Sequence, residues 1–377
     1  MSALSDLTGG ELESAVRLFD LDGDLVEIVG LHRGHIHDTL VSTWSVGDGA
    51  ETRRFVHQRL NDRVFRDIPA LMHNVGVVTR HLARAGGQDG LTALALVGAR
   101  DGADYAFSQD TPWRTYHFVE GTESYDHPRD PEMARAAALA FGDFQIKLST
   151  LPASELRETI PNFFNSEARL AQLEDACRRD PLGRVAEVQR ELDFIKARRR
   201  QLSVFENALR TGKMPRRVIH GDTKLNNVLF DAETGQPRCI VDLDTCMPGY
   251  SLFDFGDLVR FTAATSDEDE RELDRVGVDV EMYRALCDGY LEKASGFLNA
   301  FEVEHMAFAA RIVTLTIGMR FLADHIKGDV YFKIERDGHN LDRARVQPGE
   351  VPRDELEQLR AAGVGGGGQL AARARIL

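Results

Sequence analysis

Cysteine is scarce in this chain. There are four in 377 residues, Cys177, Cys239, Cys246 and Cys287, with no CxxC pair. That argues against a zinc-cysteine site and a disulfide-stapled scaffold, and four free thiols are expected. A basic excess is missing too. Sixty acidic residues against 46 Lys and Arg leave a formal net charge of −14, which opposes unspecific attraction to nucleic acid. The basic run Lys196 to Arg200 sits inside a helical pattern and reads as a solvated face. No run approaches the length of a membrane span, and the opening MSALSDLTGGELES lacks the basic and apolar regions of a signal peptide. No nucleic-acid or membrane partner is therefore expected, and the location expected is cytoplasmic. No internal repeat is evident. What remains, 43% hydrophobic and 28% charged, is ordinary globular composition, long enough for two lobes with a real core.

The two halves carry different periodicities. Leu25 to Val29, Thr39 to Trp44, Arg54 to Arg59, Leu91 to Val97 and Tyr116 to Val119 read as strands, with one helical segment from Ile68 to Ala85. After Pro131 the apolar spacing becomes helical over Glu132 to Leu148, Asn165 to Cys177, Leu182 to Asn207, Glu281 to Leu298 and Glu302 to His325. The expected class is α+β in two lobes: a small antiparallel-sheet lobe over 1–121 and a larger helical lobe over 122–362. Gly363 and Gly365 to Gly368 mark a flexible tail over 363–377.

The chemistry concentrates between Val218 and Phe261. A short apolar run ends at His220, and Asp222 follows Gly221 where a polar loop begins. Five residues after Asp222, Asn227 opens a strand, and a second strand returns to end at Asp242. In an antiparallel hairpin the residue before the first strand lies beside the residue after the second, so Asn227 and Asp242 should be neighbours. An amide and a carboxylate at one hairpin mouth suit magnesium, which takes one or two protein oxygens and fills its shell with phosphates and water. Asp222 is placed to take a hydroxyl proton. Taken alone, Asp242 and Asp244 could equally be a glycosyltransferase metal pair or two solvated acids. Asp244 is expected at a second metal or beside Lys224.

The His-x-Asp element, the Asn five residues on and the Asp closing the next hairpin resemble the protein-kinase-like enzymes, and HGDTKLNN resembles their aminoglycoside phosphotransferase branch. The resemblance implies a bilobal kinase-like fold, ATP as co-substrate and Mg2+. It makes Asp222 and Lys224 catalytic and Asn227 and Asp242 metal ligands, with His220 as structural support. Val119 and Gly121 would face the adenine edge. Asp254-Phe255-Gly256 spells the kinase metal motif but lies too far beyond Asp222. Asp254 is instead expected to head the next helix and hydrogen-bond the catalytic loop.

Longer segments are similar to the N-acetylhexosamine 1-kinases: GHIHDT from Gly34, RRFVHQRLNDRVFRD from Arg53, VDLDTCMPGYSLFDFGD, MRFLADHIKGDVYFK from Met319 and HNLDRARVQ from His339. That resemblance implies a sugar acceptor phosphorylated at its anomeric hydroxyl, with His35, Asp38 and Arg320 among the sugar contacts beside Asp222. Without it, Asp38 would be read as satisfying turn amides and Arg320 as pairing with Asp324 one helical turn on. The chain departs from that family in carrying His37 where Asn is usual, and Thr316 or Ile317 where an acid precedes the Arg. Gln58 stands where a strand lysine normally binds phosphate, so Lys224 and the metal would carry the neutralisation. His73 or Asn74 stands where that lysine's acidic partner is expected. Trp44 and Trp113 are expected in the core. Two further readings stay open: an aminoglycoside, choline or other sugar kinase, and a nucleotide-binding module without catalysis. The sugar, the hydroxyl and the oligomeric state stay open as well.

Overall fold

The computed structural model describes residues 8–31, 36–47, 49, 51–86 and 91–347. The glycine-rich tail and His35 lie outside the described residues. The sheet lobe is built from strands β1 (Asp24–Leu31), β2 (Asp38–Val46), β3 (Glu51–Arg59), β4 (Leu96–Val97), β5 (Ala106–Ser108) and β6 (Thr111–His117), all pairing antiparallel in the order β1-β2-β3-β6-β4, with β5 on β6. Helix α1 (Gly9–Val16) and helix α2 (Ile68–Ala85) belong to this lobe. One face of the sheet buries Trp44, Phe55, Val97 and Trp113 with Ala15 and Val16 of α1. Phe65, Leu71 and Val75, the last two from α2, join the core that continues into the helical lobe.

A chain of polar groups runs through the Trp44 cluster. The Trp44 indole donates to Ser42 Oγ at 2.8 Å, Ser42 Oγ meets His57 Nε2 at 2.7 Å, and His57 Nδ1 meets Thr115 Oγ1 at 2.8 Å. Burial pushes the His57 imidazole down to about 3, so it is neutral in the fold. The unfolded chain takes up that proton first as pH falls, so stability is present above about pH 6.5 and is lost below it. Thermal melts should fall between pH 6.5 and 3 with a slope approaching about 1.4 kcal/mol per pH unit from this residue. His57→Gln should flatten that slope, and an unchanged slope would remove His57 as its source.

The chain leaves the sheet lobe after His117 and forms β7 (Thr122–Glu123), which pairs with the strand Val228–Asp231 of the following lobe. The helical lobe contains α3 (Pro131–Leu148), α4 (Ser166–Arg179), α5 (Gln189–Leu202), α6 (Val204–Arg210), α7 (Ser251–Thr262), α8 (Val280–Ala294), α9 (Ala300–Glu304), α10 (Met306–Lys327) and α11 (His339–Val346). Its remaining strands are β8 (Arg217–Ile219), β9 (Val228–Asp231), β10 (Pro237–Ile240) and β11 (Met247–Gly249). Helix α7 lies close on α10: a Cβ at Gly256 would come within 2.7 Å of the Ala309 carbonyl oxygen.

Several boundaries differ from the sequence reading. The strand expected over Leu91 to Val97 shrinks to Leu96–Val97 because Thr92 turns to the helical lobe, its N–H donating to the Arg238 carbonyl at 2.6 Å. Strand β6 begins earlier than Tyr116, behind the two-residue turn Gln109-Asp110, whose residues have φ of 50° and 61°. Such a turn usually announces itself with glycine. The helix expected over Leu182 to Asn207 breaks at Ser203, whose hydroxyl donates to the Arg200 carbonyl at 3.1 Å and competes with the helical ladder. The expectation that no run approaches a membrane span does not hold: helix α10, 22 residues, is long and apolar enough to cross one. It packs against α4, α7 and α11, so its apolar residues serve a core.

Candidate active site

Strand β8 delivers the candidate catalytic loop through a tight turn. Gly221 has φ of +81°, and a Cβ there would lie 2.6 Å from the Phe164 ring and 2.8 Å from the Thr245 carbonyl oxygen, so only glycine fits. Asp254, in the first turn of α7, accepts the N–H groups of His220 and Gly221 at 2.8 Å each and the Gln145 amide at 2.6 Å. Asp254 thus ties the start of α7 to the backbone of His220 and Gly221. His220 is fully buried with its imidazole held low by desolvation. Its Nδ1 accepts the Asp222 N–H at 3.2 Å, which makes Nε2 the donor to the Val241 carbonyl at 3.0 Å. Thr223 is anchored to α7 by its N–H on Asp257 and its hydroxyl on the Asp254 carbonyl.

The hairpin of β9 and β10 brings the next residues together as its register requires. Val228 pairs with Ile240, and the Val241 N–H donates to the Asn227 carbonyl at 2.9 Å, which puts Asp242 one residue beyond Asn227's backbone partner. The Asn227 amide donates to the Asp222 carbonyl at 2.8 Å and to its carboxylate at 3.3 Å. Lys224 Nζ lies 2.8 Å from Asp222 Oδ2. Burial raises the Asp222 carboxyl, but Lys224, His220 and Arg260 outweigh it and hold the group below the usual carboxylate range. Lys224 is correspondingly raised, its desolvation outweighed by Asp222 and Asp242. Asp242 is the opposite case: burial, then the charges of Asp244 and Asp222, push it up to about 6. This crowding of carboxylates fits a divalent cation. Among the described residues no three His, Cys, Asp or Glu side chains form a metal cluster, and magnesium, with one or two protein oxygens plus phosphate, needs none.

Asp244 is where the sequence reading fails. Both its oxygens are engaged by other side chains. Arg114 forks onto both its oxygens, with Nη2 at 2.8 Å from Oδ2, and His37 Nε2 lies 2.5 Å from Oδ2. Against the cost of burial, these two hold the Asp244 carboxyl well below its ordinary range. Arg114 stands directly opposite Gln58 in the β3–β6 register, and Gln58 Oε1 accepts from its Nε at 2.9 Å and Nη2 at 2.7 Å. Gln58, expected at the nucleotide phosphates, therefore has its carbonyl committed to Arg114. The missed signal was the register: once β6 starts at Thr111, the cation opposite Gln58 is Arg114. Asn74, at one of the two positions where the resemblance implies an acid, bonds backbone instead, donating to the carbonyls of Arg157 at 2.7 Å and Cys246 at 3.1 Å.

On the acceptor side the residues separate. Asp38 pairs with Arg59 across the β2–β3 register, Arg59 Nε donating to Oδ2 at 2.9 Å, so that oxygen is already engaged. Arg320 does not pair with Asp324, which accepts the N–H groups of Val330, Tyr331 and Phe332 and the Asn340 amide. Its guanidinium carbon lies 4.7, 5.8 and 5.2 Å from the ring centres of Phe163, Tyr331 and Phe332. On the other side of the same cluster, Arg169 lies 5.8 Å over Phe163, and its Nε and Nη2 are buried without a hydrogen-bond partner. Thr316, in the turn before Arg320, is buried and meets Ser166 Oγ at 2.8 Å.

A profile of the phosphotransferase enzyme family matches residues 37–288, which spans the sheet lobe from β2, the catalytic loop and hairpin, and the chain through most of α8. The chain belongs to that family. This phosphotransferase also shares its fold with solved structures. An aminoglycoside phosphotransferase from Alicyclobacillus acidocaldarius has a TM-score of 0.56 at 14% identity, covering 97% of this chain and 96% of its own. A microcompartment-associated aminopropanol kinase reaches 0.55 at 16% identity, with 91% and 95% covered. An ADP-bound aminoglycoside phosphotransferase reaches 0.52 at 12% identity, with 94% and 99% covered. The α+β bilobal kinase-like architecture expected from the sequence is therefore the architecture of the phosphotransferase. At its inter-lobe segment the Val119 carbonyl accepts the Thr122 hydroxyl at 2.8 Å and the Gly121 carbonyl accepts the Ala232 N–H at 2.9 Å. The Val119 carbonyl thus serves its own turn, and the Gly121 carbonyl ties the segment to the turn between β9 and β10.

Proposed function

We propose that this phosphotransferase transfers the γ-phosphate of ATP to a hydroxyl of a small neutral sugar, the anomeric hydroxyl of an N-acetylhexosamine. The observation that carries the choice of acceptor is the pair Arg320 and Arg169 around Phe163: Arg169 buries Nε and Nη2 without a hydrogen-bond partner, and the carboxylates Glu158 and Asp257 act on the two arginines only through their charge. Their proximity is felt electrostatically: burial, then the Arg320 charge, pulls the Arg169 guanidinium down to about 10. Such a wall repels a cationic acceptor such as choline or an aminoglycoside and favours hydroxyl and carbonyl oxygens, which guanidinium forks bind well. Arg320 also feels the charges of Arg260 and Asp257, and Asp257 holds the catalytic loop through Thr223.

In this reading Asp222 orients the acceptor hydroxyl and takes its proton, while Lys224 steadies the transferring phosphoryl group. Asn227 and Asp242 would hold Mg2+, which when bound supplies charge neutralisation on the phosphates. The N–H groups of Val119 and Gly121 would meet the adenine edge. Because phosphoryl transfer passes through a loose transition state, positioning contributes more than base strength.

The test is incubation with magnesium-ATP and N-acetylglucosamine, N-acetylgalactosamine, glucosamine, glucose, galactose, choline and an aminoglycoside, with products located by phosphorus NMR. An anomeric phosphate on an N-acetylhexosamine is expected. Faster turnover of choline or the aminoglycoside would overturn the acceptor assignment, and no ATP consumption with any acceptor would favour the module without catalysis.

A further inference from the structure

The turn that carries Asp242 is gripped from the sheet lobe at three points. Arg114 of β6 forks onto Asp244, His37 at the entrance to β2 donates to the same carboxylate, and Asn74 of α2 donates to the Cys246 carbonyl at 3.1 Å. Each grip is itself anchored. Gln58 holds the guanidinium of Arg114, His37 Nδ1 accepts the Asn61 N–H at 3.0 Å, and Asn74 Oδ1 accepts the Arg157 N–H at 2.9 Å. The side chains of Arg114 and Asp244 are 1% and 3% exposed, so the ion pair is dry, and a dry pair broken on one side leaves an uncompensated charge. Between the grips, Asp242 has φ of 61° and ψ of 61°, a left-handed backbone conformation that a non-glycine residue keeps only when its surroundings over-determine it. The short turn Leu243–Thr245 transmits the constraint, since it separates Asp242 from Asp244 by one residue.

We propose that Arg114 is the positioning residue of the metal site: the Gln58–Arg114–Asp244 bridge, seconded by His37, locks the sheet lobe onto the Asp242 turn and sets the metal-binding carboxylate in place. Gln58 of β3 and Asn74 of α2 carry no charge, so the charge that the sheet lobe brings to this turn comes from Arg114 on Asp244. Arg114 acts through Asp244 and touches no substrate. Lysine cannot replace it, because one ammonium cannot fork onto both carboxylate oxygens and bond Gln58 as well. The inference rests on Asp242 being the metal ligand of the proposed reaction, and its test does not depend on the acceptor.

The experiment is calorimetric titration of ADP into the full-length protein with Mg2+ and with EDTA, for wild type, Arg114→Lys, Asp244→Asn and the double variant. Wild type should bind ADP more tightly with Mg2+. Each single variant should lose about tenfold or more of that magnesium-dependent gain, with metal-free affinity changed by less than about threefold, and the double variant should lose no more than the worse single one. An undiminished magnesium gain in Arg114→Lys would overturn the proposal. So would an equal loss with and without metal, which would make Arg114 a nucleotide-binding or merely structural residue. If these variants do not fold, His37→Gln, which leaves the Arg114 fork in place, decides: a reduced magnesium gain with unchanged metal-free affinity supports the bridge, and an unchanged gain overturns it. A wild type that binds no nucleotide at all would remove the proposed reaction and this inference together, whereas nucleotide binding without sugar turnover would leave the inference standing.

Discussion

Asp222→Asn should lower kcat by about 10²- to 10⁴-fold while leaving the KM for ATP within about threefold. Asparagine keeps the shape of the side chain and an oxygen that Lys224, now at 2.8 Å, and the Asn227 amide can still reach. It removes the proton acceptor and the charge. Lys224, His220 and Arg260 hold the Asp222 carboxyl below the ordinary range, so at neutral pH the wild-type group is ionised and ready to accept. Because the transition state is loose, most of the expected loss comes from misorienting the hydroxyl. Steady-state kinetics with the accepted sugar decide the matter: near-normal turnover would exclude Asp222 from the proton transfer, and a raised KM for ATP at unchanged kcat would make it a nucleotide contact.

Asp242→Asn should abolish magnesium-dependent turnover, to below about a thousandth of wild type, and at the same time raise the melting temperature of the metal-free protein. Burial and the neighbouring Asp244 and Asp222 charges push the Asp242 carboxyl up to about 6. An acid whose folded pKa lies above its unfolded value takes up its proton more readily when folded, so its ionised form at pH 7 destabilises the fold. Removing the charge relieves that cost, and a gain of a few degrees is the expected size for a chain of this length. The contrast with Asp254 is instructive. That carboxylate accepts two backbone N–H groups of the catalytic loop, so Asp254→Ala should lower the melting temperature, by leaving buried donors unpaired. Differential scanning calorimetry at pH 7 in EDTA compares the two; a destabilised Asp242→Asn would show that the carboxylate is held for structure rather than for a cation.

The parts of the site legible in the sequence are those made by neighbours in the chain. Asp222, Lys224 and Asn227 lie within one loop, and a two-stranded hairpin brings Asp242 back to it, so spacing and strand register suffice. Helix α2 and strands β1 to β3 were readable for the same reason, since apolar periodicity is a local property. Asp254 was separable from the motif it spells because it lies too far beyond Asp222 and follows the Pro248-Gly249 turn; in the structure it sits in the first turn of α7 and accepts loop amides. Arg320 shows the limit of local reading. Pairing with Asp324 satisfied helical spacing, but Asp324 had stronger claimants in the backbone of Val330 to Phe332 and the Asn340 amide, and Arg320 was left among aromatic rings.

By itself, then, the sequence determined the class of fold and the hairpin that brings Asn227 and Asp242 together, because each follows from periodicity or a register counted over a few residues, and its resemblance to the kinase-like enzymes drew attention to the loop of Asp222 and Lys224. Only the tertiary structure decided that Asp244 belongs to Arg114 and His37, that Gln58 serves that arginine, and that Arg320 and Arg169 meet around Phe163. Arg114 and Asp244 are 130 positions apart. Their partnership is selected by burial, where an unpaired charge is too costly to keep and the nearest opposite charge wins regardless of its distance along the chain.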